Sequence, residues 1–281
     1  MKLEFDINNP HIASVMKDVQ FLDIETSLID ARVFRPGTQF VGAHQTSSTT
    51  RLLTVAGGTM YDLYTKGEEG MWSFGNHMSP SFSDNPLDDT FVLRRLWDIL
   101  DHAKVVVAWN ASFDVGHLNG RFLECGWPLP SKYSVVCPFR ALKRYRLTSK
   151  KLDQMSKFLL DSAKIPTNFD LWDKCSNGDV DAFEEMMRYN RGDIHDTLYK
   201  LYIRIAPYIP DHAVDFVDYD LEYPQCKVNG DELEWLDATW TDRKNGRVYQ
   251  LYYNESLGIT YRDRYPESSP RSGRGFVRHH V

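Results

Sequence analysis

The pattern of apolar and polar positions predicts strands in the first third of the chain. Residues 19–24 (VQFLDI) are a short apolar strand, and two β-rich stretches follow at 31–44 and 50–56, where Val, Thr and aromatic residues gather between Gly and Pro. We expect these three strands to form an antiparallel unit. A loop rich in Gly, Ser, Pro and Asn then occupies about 67–86.

The next block alternates between helix and strand. TFVLRRLWDILDH (residues 90–102) has apolar residues at helical spacing, and AKVVVAW (103–109) predicts a strand buried on both faces. A helix is predicted over 112–125. Its inward side chains should be Leu118, Phe122 and Leu123. Strand, helix, strand in this order is typical of a parallel α/β sheet.

A helical block and a distinct C-terminal region follow. A strand is predicted at 133–136, then helices near 150–160, 179–190 and 192–206, which Pro207 and Pro210 terminate. From about residue 211 onward aromatic and charged residues alternate. We therefore expect three parts: a main α/β domain over 1–210, a small β-rich appendage over 223–265 and a flexible basic tail over 266–281.

Composition and charge exclude several classes of protein. The 281 residues are 42% hydrophobic, enough for a sizeable core, and they do not form a collagen, a coiled coil or a disulfide miniprotein. With 33 basic and 39 acidic residues the net charge is −6, which argues against a protein that coats nucleic acid. Four cysteines without a Cys-x-x-Cys pair predict reduced, buried thiols. Because the chain lacks a signal-peptide pattern and a long apolar run, we expect a cytoplasmic protein with no membrane partner.

Two carboxylates stand at the end of the first predicted strand. Asp23 and Glu25 lie in FLDIET, and side chains two residues apart share one face of a strand. An ionised Asp at the mouth of an apolar strand is costly unless it is paired or bound to a metal. A second Asp-x-Glu, Asp220 and Glu222, lies among polar residues. The first copy is therefore either part of a cation site or a solvated strand end.

Asp114 follows the most buried predicted strand, in VVVAWNASFD. We expect it in the first turn of a helix, where the helix N-terminus favours a carboxylate. Ser112 is the better N-cap by residue type, which leaves Asp114 for another task. Helix capping by Asp114 remains the alternative.

Tyr189 and Asp193 stand four residues apart in RYNRGDIHDTLYKLY and should share one face of a helix. A tyrosine hydroxyl beside a carboxylate can orient a water molecule on a metal. The alternative is a surface tyrosine that packs along its own helix. His195 matches neither position, and we expect it on the helix surface.

In this order, the three segments resemble the DnaQ-like DEDD exonuclease superfamily of the RNase H-like fold, in its tyrosine subclass. That family has Asp-x-Glu on the first strand, Asn-x(2 or 3)-Phe/Tyr-Asp after the fourth, and Tyr-x3-Asp on a late helix. The matching segments are Asp23-Ile-Glu25, Asn110-Ala-Ser-Phe113-Asp114 and Tyr189-Asn-Arg-Gly-Asp193. The resemblance covers about 19–206, and Arg188 stands where the histidine subclass has His. It implies a mixed five-stranded sheet flanked by helices.

The resemblance also implies a site and a reaction. The expected ligands of two Mg²⁺ or Mn²⁺ ions are Asp23, Glu25, Asp114 and Asp193. Tyr189 would position the nucleophilic water, because a phenol with a pKa of about 10 is not a strong base. The terminal nucleotide would be held by the backbone around Ile24 and Thr26, together with Asn110 and Phe113. The implied activity is hydrolysis of single-stranded DNA or RNA from the 3′ end to nucleoside 5′-monophosphates, with DNA ahead of RNA.

The predicted appendage has a fainter resemblance, to the zinc ribbon that ends some exonucleases of this type, including phage-encoded ones. Four of its positions align with the cysteines of that pattern: Cys226, Asn229, Asn254 and Leu257. One cysteine cannot make a structural zinc site, so no zinc is expected. RVYQLYY and ITYRDRY would keep a hairpin whose Tyr and Arg can stack on bases, and an ordinary hairpin is the alternative. From Arg262 onward the local charge of +3 suits a phosphate backbone.

Two other functions fit the same residues. A catalytically silent scaffold would keep the fold and bind nucleic acid, or would recruit a replication or host protein through the appendage. An endonuclease or structure-specific RNase would use the same site chemistry. The complete Asp, Glu, Asp, Tyr, Asp set favours the exonuclease, because decay normally removes a ligand. The ribbon likeness hints at a phage origin, in which case the compartment would be the host cytoplasm.

Overall fold

The computed structural model describes residues 3–29, 31, 45–46, 49–161, 165–263 and 276–278. The large sheet has five strands: β1 (Val19–Thr26), β2 (Leu52–Thr59), β3 (Trp72–Gly75), β4 (Val105–Val107) and β5 (Ser134–Val136). Their order is β3-β2-β1-β4-β5. The β3-β2 and β2-β1 pairs are antiparallel, whereas β1-β4 and β4-β5 are parallel. The carboxyl ends of β1, β4 and β5 therefore lie at one edge of the sheet.

Helices pack on both faces of this sheet. Those in the described residues are α1 (Pro10–Asp18), α2 (Met60–Lys66), α3 (Thr90–His102), α4 (Ala111–Glu124), α5 (Pro138–Ala141), α6 (Leu152–Leu160), α7 (Phe169–Ser176), α8 (Val180–Gly192) and α9 (Lys200–Ile205). A π-helical segment, Asp193–Tyr199, joins α8 to α9. None of the helices in this described part of the chain has the length and apolar character needed to cross a bilayer.

Alternation along β1 gives the sheet two apolar faces. Leu22 and Ile24 pack in the core cluster that contains residues of α3 and α4. Phe21 points to the opposite face, where its ring meets Tyr199 and Tyr202 edge-on at 5.3 and 5.4 Å between centroids. Burial of each such side chain contributes about 1.5–3 kcal/mol, so β1 is held from both sides.

The sheet differs from the sequence-based prediction in its third strand. β1 and β2 pair antiparallel as expected, whereas the predicted strand at 31–44 lies almost entirely outside the described residues. The third antiparallel strand is β3, inside the segment predicted as a loop. Only Trp72 and Phe74 alternate there before Gly75, which is too short a run to predict a strand.

The predicted helices are present, with two corrections on α4. Leu118 and Phe122 are buried as expected, but Leu123 is 78% exposed, so its inward placement is wrong. It follows Phe122 by one residue, which rotates it by about 100° around the helix. The N-cap of α4 is Asn110 and not Ser112. The sequence pattern does not predict helices α1, α2, α5 and α7.

The C-terminal region forms a small antiparallel sheet of β6 (Glu234–Thr241), β7 (Val248–Asn254) and β8 (Ile259–Asp263). Phe276–Arg278 (β9) pairs with β8 at its edge. Part of the predicted tail is therefore a strand, and the rest of it lies outside the described residues. Tyr252, Ile259 and Tyr261 belong to the same core cluster as Phe5 and Ile12, so this sheet shares its core with the N-terminal residues.

Two of the four positions aligned with zinc-ribbon cysteines are asparagines, and the side chains of both form hydrogen bonds. Asn254 Nδ2 donates to Asn229 Oδ1 at 3.3 Å, and the Leu257 N–H donates to Asn254 Oδ1 at 2.8 Å. Both asparagines are buried. Cys226 Sγ lies 3.3 Å from the Tyr261 hydroxyl. A side-chain hydrogen bond therefore joins the turn that contains Asn229 to the turn that follows Asn254, and these bonds also satisfy the buried amides.

The four cysteines are free. Cys175 and Cys226 are buried as predicted, but Cys125 and Cys137 are only half-buried. Burial raises the pKa of the Cys175 thiol to about 12, so this side chain stays protonated near neutral pH.

A buried ion pair joins α3, α4 and β2. Arg121 donates to the two carboxylate oxygens of Asp89 at 2.7 and 2.9 Å, and the Leu52 N–H donates to the same carboxylate at 2.9 Å. The Arg121 side chain is 9% exposed and that of Asp89 is 1% exposed. Arg121 also donates to Glu124, whose side chain is 44% exposed, whereas the buried Asp89 carboxylate has Arg121 as its cationic partner. Asp89 therefore depends on Arg121 for charge compensation.

We expect Arg121→Met to lower the free energy of unfolding by about 3–5 kcal/mol, because it leaves the Asp89 carboxylate buried without its cation. Lys104→Met is the matched control, since it removes a separate exposed ion pair with Asp18 and should cost at most about 1 kcal/mol. Urea unfolding monitored by circular dichroism measures both. Equal losses in the two variants would contradict the role of the buried pair.

Candidate metal centre

Strand β1 brings two carboxylates to one face of the sheet. Asp23 pairs with Ala56 and Glu25 with Thr54, so both side chains continue the face that begins at Phe21. The register shifts between Glu25 and Thr26. Such an irregularity re-aims side chains at the end of a strand. Both carboxylates are half-buried beneath the helices that cover this face.

The third carboxylate comes from the junction between α8 and the π-helical segment. The Asp193 N–H still bonds to the Tyr189 carbonyl, as in an α-helix, and the wider π-helical turns begin with Asp193 itself. Asp193 is buried, with 2% of its surface exposed. π-Helical turns are rare, and they are found frequently at functional sites.

One ligand oxygen each from Asp23, Glu25 and Asp193 lies within 4.8 Å of the others. Two ligands of one divalent cation, each bound at about 2.0–2.6 Å, are separated by no more than about 4–5 Å. Three carboxylates at these separations repel one another unless a cation compensates them. Carboxylate oxygens are also the ligands that hard divalent ions prefer. The group could therefore hold a metal ion.

Asn190 is a residue of this site that the sequence pattern did not identify. It is fully buried, and its Nδ2 donates to Asp23 Oδ2 at 2.6 Å. Its Oδ1 is buried and has no hydrogen-bond partner within the part of the chain that the structure describes. An orphaned oxygen on the residue that holds Asp23 fits a site completed by a cation or its water. The available signal was an asparagine inside a helix, between Tyr189 and Asp193.

Asp114 does not belong to this group. It lies in the first turn of α4, as predicted, and is 4% exposed. Its carboxylate falls outside the 4.8 Å separation that joins the other three. The parallel pairing of Phe21 with Val107 nevertheless places the start of α4 at the edge of the sheet where Asp23 lies. The structure thus brings together three of the four predicted ligands.

Tyr189 lies on α8, one turn before Asp193, as predicted. Its ring packs edge-on against Trp172 of α7, at 5.9 Å between centroids. This packing holds the ring against α7, on the same helix that leads into Asp193. His195, predicted on the helix surface, is half-buried, and its Nδ1 lies 3.0 Å from a carboxylate oxygen of Asp196.

The four residues predicted to contact a nucleotide have different surroundings. Ile24 is buried against the opposite face of the sheet, and Thr26 is half-buried. Asn110 is exposed, and its Oδ1 accepts from the Ser112 hydroxyl at 3.2 Å. Phe113 is 41% exposed and lines a groove of about 660 Å³ along α4. Only Asn110 and Phe113 therefore offer an exposed side chain.

No protein-family model matches the chain, and no curated protein sequence matches it. The functional inference therefore depends on the residues and the geometry of this site.

We expect the protein to bind Mn²⁺ and Asp23→Asn to abolish that binding, because the variant removes one of three converging charges. Mn²⁺ at 100 times its dissociation constant should raise the free energy of unfolding by about 2.7 kcal/mol, and a chelator should reverse the gain. Isothermal titration calorimetry and thermal unfolding measure the two effects.

The matched control is the second Asp-x-Glu. Asp220 and Glu222 are exposed, so Asp220→Asn with Glu222→Gln should leave Mn²⁺ binding unchanged. Binding that persists in Asp23→Asn, or that is lost in the control, would contradict the assignment of the metal to this group.

We expect Asn190→Ala to weaken Mn²⁺ binding by about 10–100-fold, because Asp23 loses the donor that orients its carboxylate. Asn177→Ala is the control, since Asn177 is exposed and donates to a backbone carbonyl at the end of α7. Circular dichroism checks that both variants fold. An unchanged affinity in folded Asn190→Ala would show that the amide has no part in the site.

Proposed function

We propose that the protein is a metal-dependent 3′–5′ exonuclease that hydrolyses single-stranded DNA or RNA to nucleoside 5′-monophosphates. The observation that carries the proposal is the convergence of Asp23, Glu25 and Asp193 at the carboxyl edge of the sheet. The order of the acidic segments along the chain adds to it, because Asp114 and Tyr189 stand where the DnaQ-like pattern has them. The mixed five-stranded sheet between helices is consistent with an RNase H-like assignment.

Two Mg²⁺ or Mn²⁺ ions are the proposed cofactors. Their ligands would be the three converging carboxylates together with Asp114. Bound ions would supply activation of a water molecule and neutralisation of the charge that develops on the phosphate and the leaving 3′ oxygen.

The other roles fall to this chain's own side chains. Asn190 holds the Asp23 carboxylate in place through its 2.6 Å hydrogen bond. Tyr189, fixed against Trp172, would donate a hydrogen bond that positions the water. The exposed ring of Phe113 would stack on the terminal base, as aromatic side chains do in single-strand sites. The protein would thus orient the strand end and the water at the acidic group.

The test is digestion of 5′-labelled DNA and RNA oligonucleotides with Mg²⁺ or Mn²⁺. We expect a ladder that shortens from the 3′ end, release of nucleoside 5′-monophosphates and complete inhibition by a chelator. Asp114→Ala should lower the rate by several orders of magnitude if Asp114 is the fourth ligand. The exposed pair Asp220→Asn with Glu222→Gln is the control and should keep full activity.

Each other outcome identifies a different function. Intact substrates in every condition would favour the silent scaffold and overturn the proposal. Cleavage of a closed circular single strand would indicate an endonuclease, because a circle has no 3′ end. Full activity in Asp114→Ala would limit the site to the three converging carboxylates.

A further inference from the structure

A strongly basic stretch lies in the middle of this acidic chain. The 28 residues 125–152 contain seven lysines and arginines and no acidic residue, although the whole protein has a net charge of −6. Six of the seven cations fall within residues 140–151, which we call the basic segment: Arg140, Lys143, Arg144, Arg146, Lys150 and Lys151.

Buried leucines anchor the basic segment near both of its ends. Leu142 and Leu152 are buried in the main core cluster. Between them most of the cationic side chains are exposed. Buried leucines at the two ends fix the course of the backbone, so the cations are presented from a defined surface.

Hydrogen bonds to Trp109 place the basic segment at the edge of the sheet that carries the acidic group. The Trp109 carbonyl accepts from the Phe139 N–H at 3.2 Å, and its indole Nε1 donates to the Lys150 carbonyl at 3.0 Å. Trp109 follows β4, which is parallel to β1. After the segment ends, α6 packs against the π-helical segment that begins with Asp193. The basic segment therefore begins and ends beside elements of the candidate metal centre.

Several of these cations have no acidic partner among the residues that the structure describes. Elsewhere on the surface Lys66, Lys157 and Lys200 each pair with an aspartate four residues earlier. In contrast, no ion pair within the described ranges involves the side chains of Arg140, Arg146, Lys150 and Lys151. Uncompensated like charges repel one another, and an anionic ligand removes that cost.

Apolar surface adjoins the cations. A groove of about 170 Å³ lies between α6 and α9, and its lining includes Tyr145, Phe158 and Tyr208. The Phe158 ring is 76% exposed. Proteins that bind single-stranded nucleic acid combine a cationic track for the phosphates with aromatic rings on which bases stack. The basic segment and this groove supply both features.

We propose, on the premise of the exonuclease function above, that the basic segment binds the phosphate backbone of the single strand upstream of the 3′ end. The nucleotides behind the scissile bond run past Arg146, Lys150 and Lys151, and Phe158 stacks on a base. This assigns strand binding to the centre of the chain, beside the metal site, and not to the C-terminal arginines.

The test compares Arg146→Gln/Lys150→Gln/Lys151→Gln with Lys66→Gln/Lys104→Gln/Lys200→Gln, which changes the net charge equally at exposed lysines elsewhere. Binding of a labelled 12-nucleotide single strand is measured by fluorescence anisotropy in EDTA, over a range of salt. We expect the basic-segment variant to bind about tenfold more weakly at low salt. Its slope of log K against log salt should fall by about 2, since each lost phosphate contact removes about 0.7. The control should keep the wild-type slope.

A small substrate separates this proposal from the exonuclease itself. Hydrolysis of the p-nitrophenyl ester of thymidine 5′-monophosphate does not require an upstream strand, so the basic-segment variant should keep the wild-type rate on it. If the wild type hydrolyses neither the oligonucleotide nor the p-nitrophenyl ester but the variant still loses strand binding, the proposed exonuclease activity is wrong and the proposed strand-binding role of the basic segment is supported. Equal affinity and slope in wild type and variant would overturn the strand site. A second result would also overturn it: an aspartate-rich peptide that binds the wild type as tightly as the single strand does, with the same loss of affinity in the variant. The basic segment would then bind an acidic protein.

Discussion

Three carboxylates within 4.8 Å of one another repel, and the architecture around them is what keeps them together. At an effective dielectric constant near 20, two unit charges at that distance cost about 3 kcal/mol. Strand β1 resists this force because both of its faces are packed, with Ile24 on one side and Phe21 on the other. The hydrogen bond from Asn190 fixes Asp23, and Asp193 stands at the buried junction between α8 and the π-helical segment. The packing thus holds the three carboxylates at an electrostatic cost that a bound divalent cation would relieve.

The acidic group also helps to explain how charge is distributed along the chain. A net charge of −6 argues against a protein that coats nucleic acid, yet the charges are segregated along the chain. The acidic group and the basic segment adjoin the same edge of the sheet, because β1, β4 and β5 all end there. In the proposed arrangement the carboxylates bind metal ions at the 3′ end of the nucleic acid, and the basic segment binds the phosphates upstream of that end. The local placement of the charges is therefore more informative about nucleic-acid binding than the net charge of the protein.

Periodicity along the chain predicted the elements that carry the site, but not their details. The apolar run of β1 and the helical spacing of α3 and α8 are strong patterns, so Asp23, Glu25 and Tyr189 were found on the elements expected. The inward placement of Leu123 was wrong, because a step of one residue along a helix is enough to turn a side chain from the core to the solvent. Strand β3 was missed, because a run of four residues is too short to predict a strand. Asn190 and the separation of Asp114 depend on how distant elements pack. No local pattern contains that information.

The metal site is tested most directly by a crystal structure of the protein soaked with Mn²⁺, with anomalous data collected at the manganese edge. We expect an anomalous peak between the carboxylates of Asp23, Glu25 and Asp193, and a second peak that includes Asp114 among its ligands. The absence of a peak at the three converging carboxylates at saturating Mn²⁺, or peaks held only by other residues, would contradict the proposed metal site.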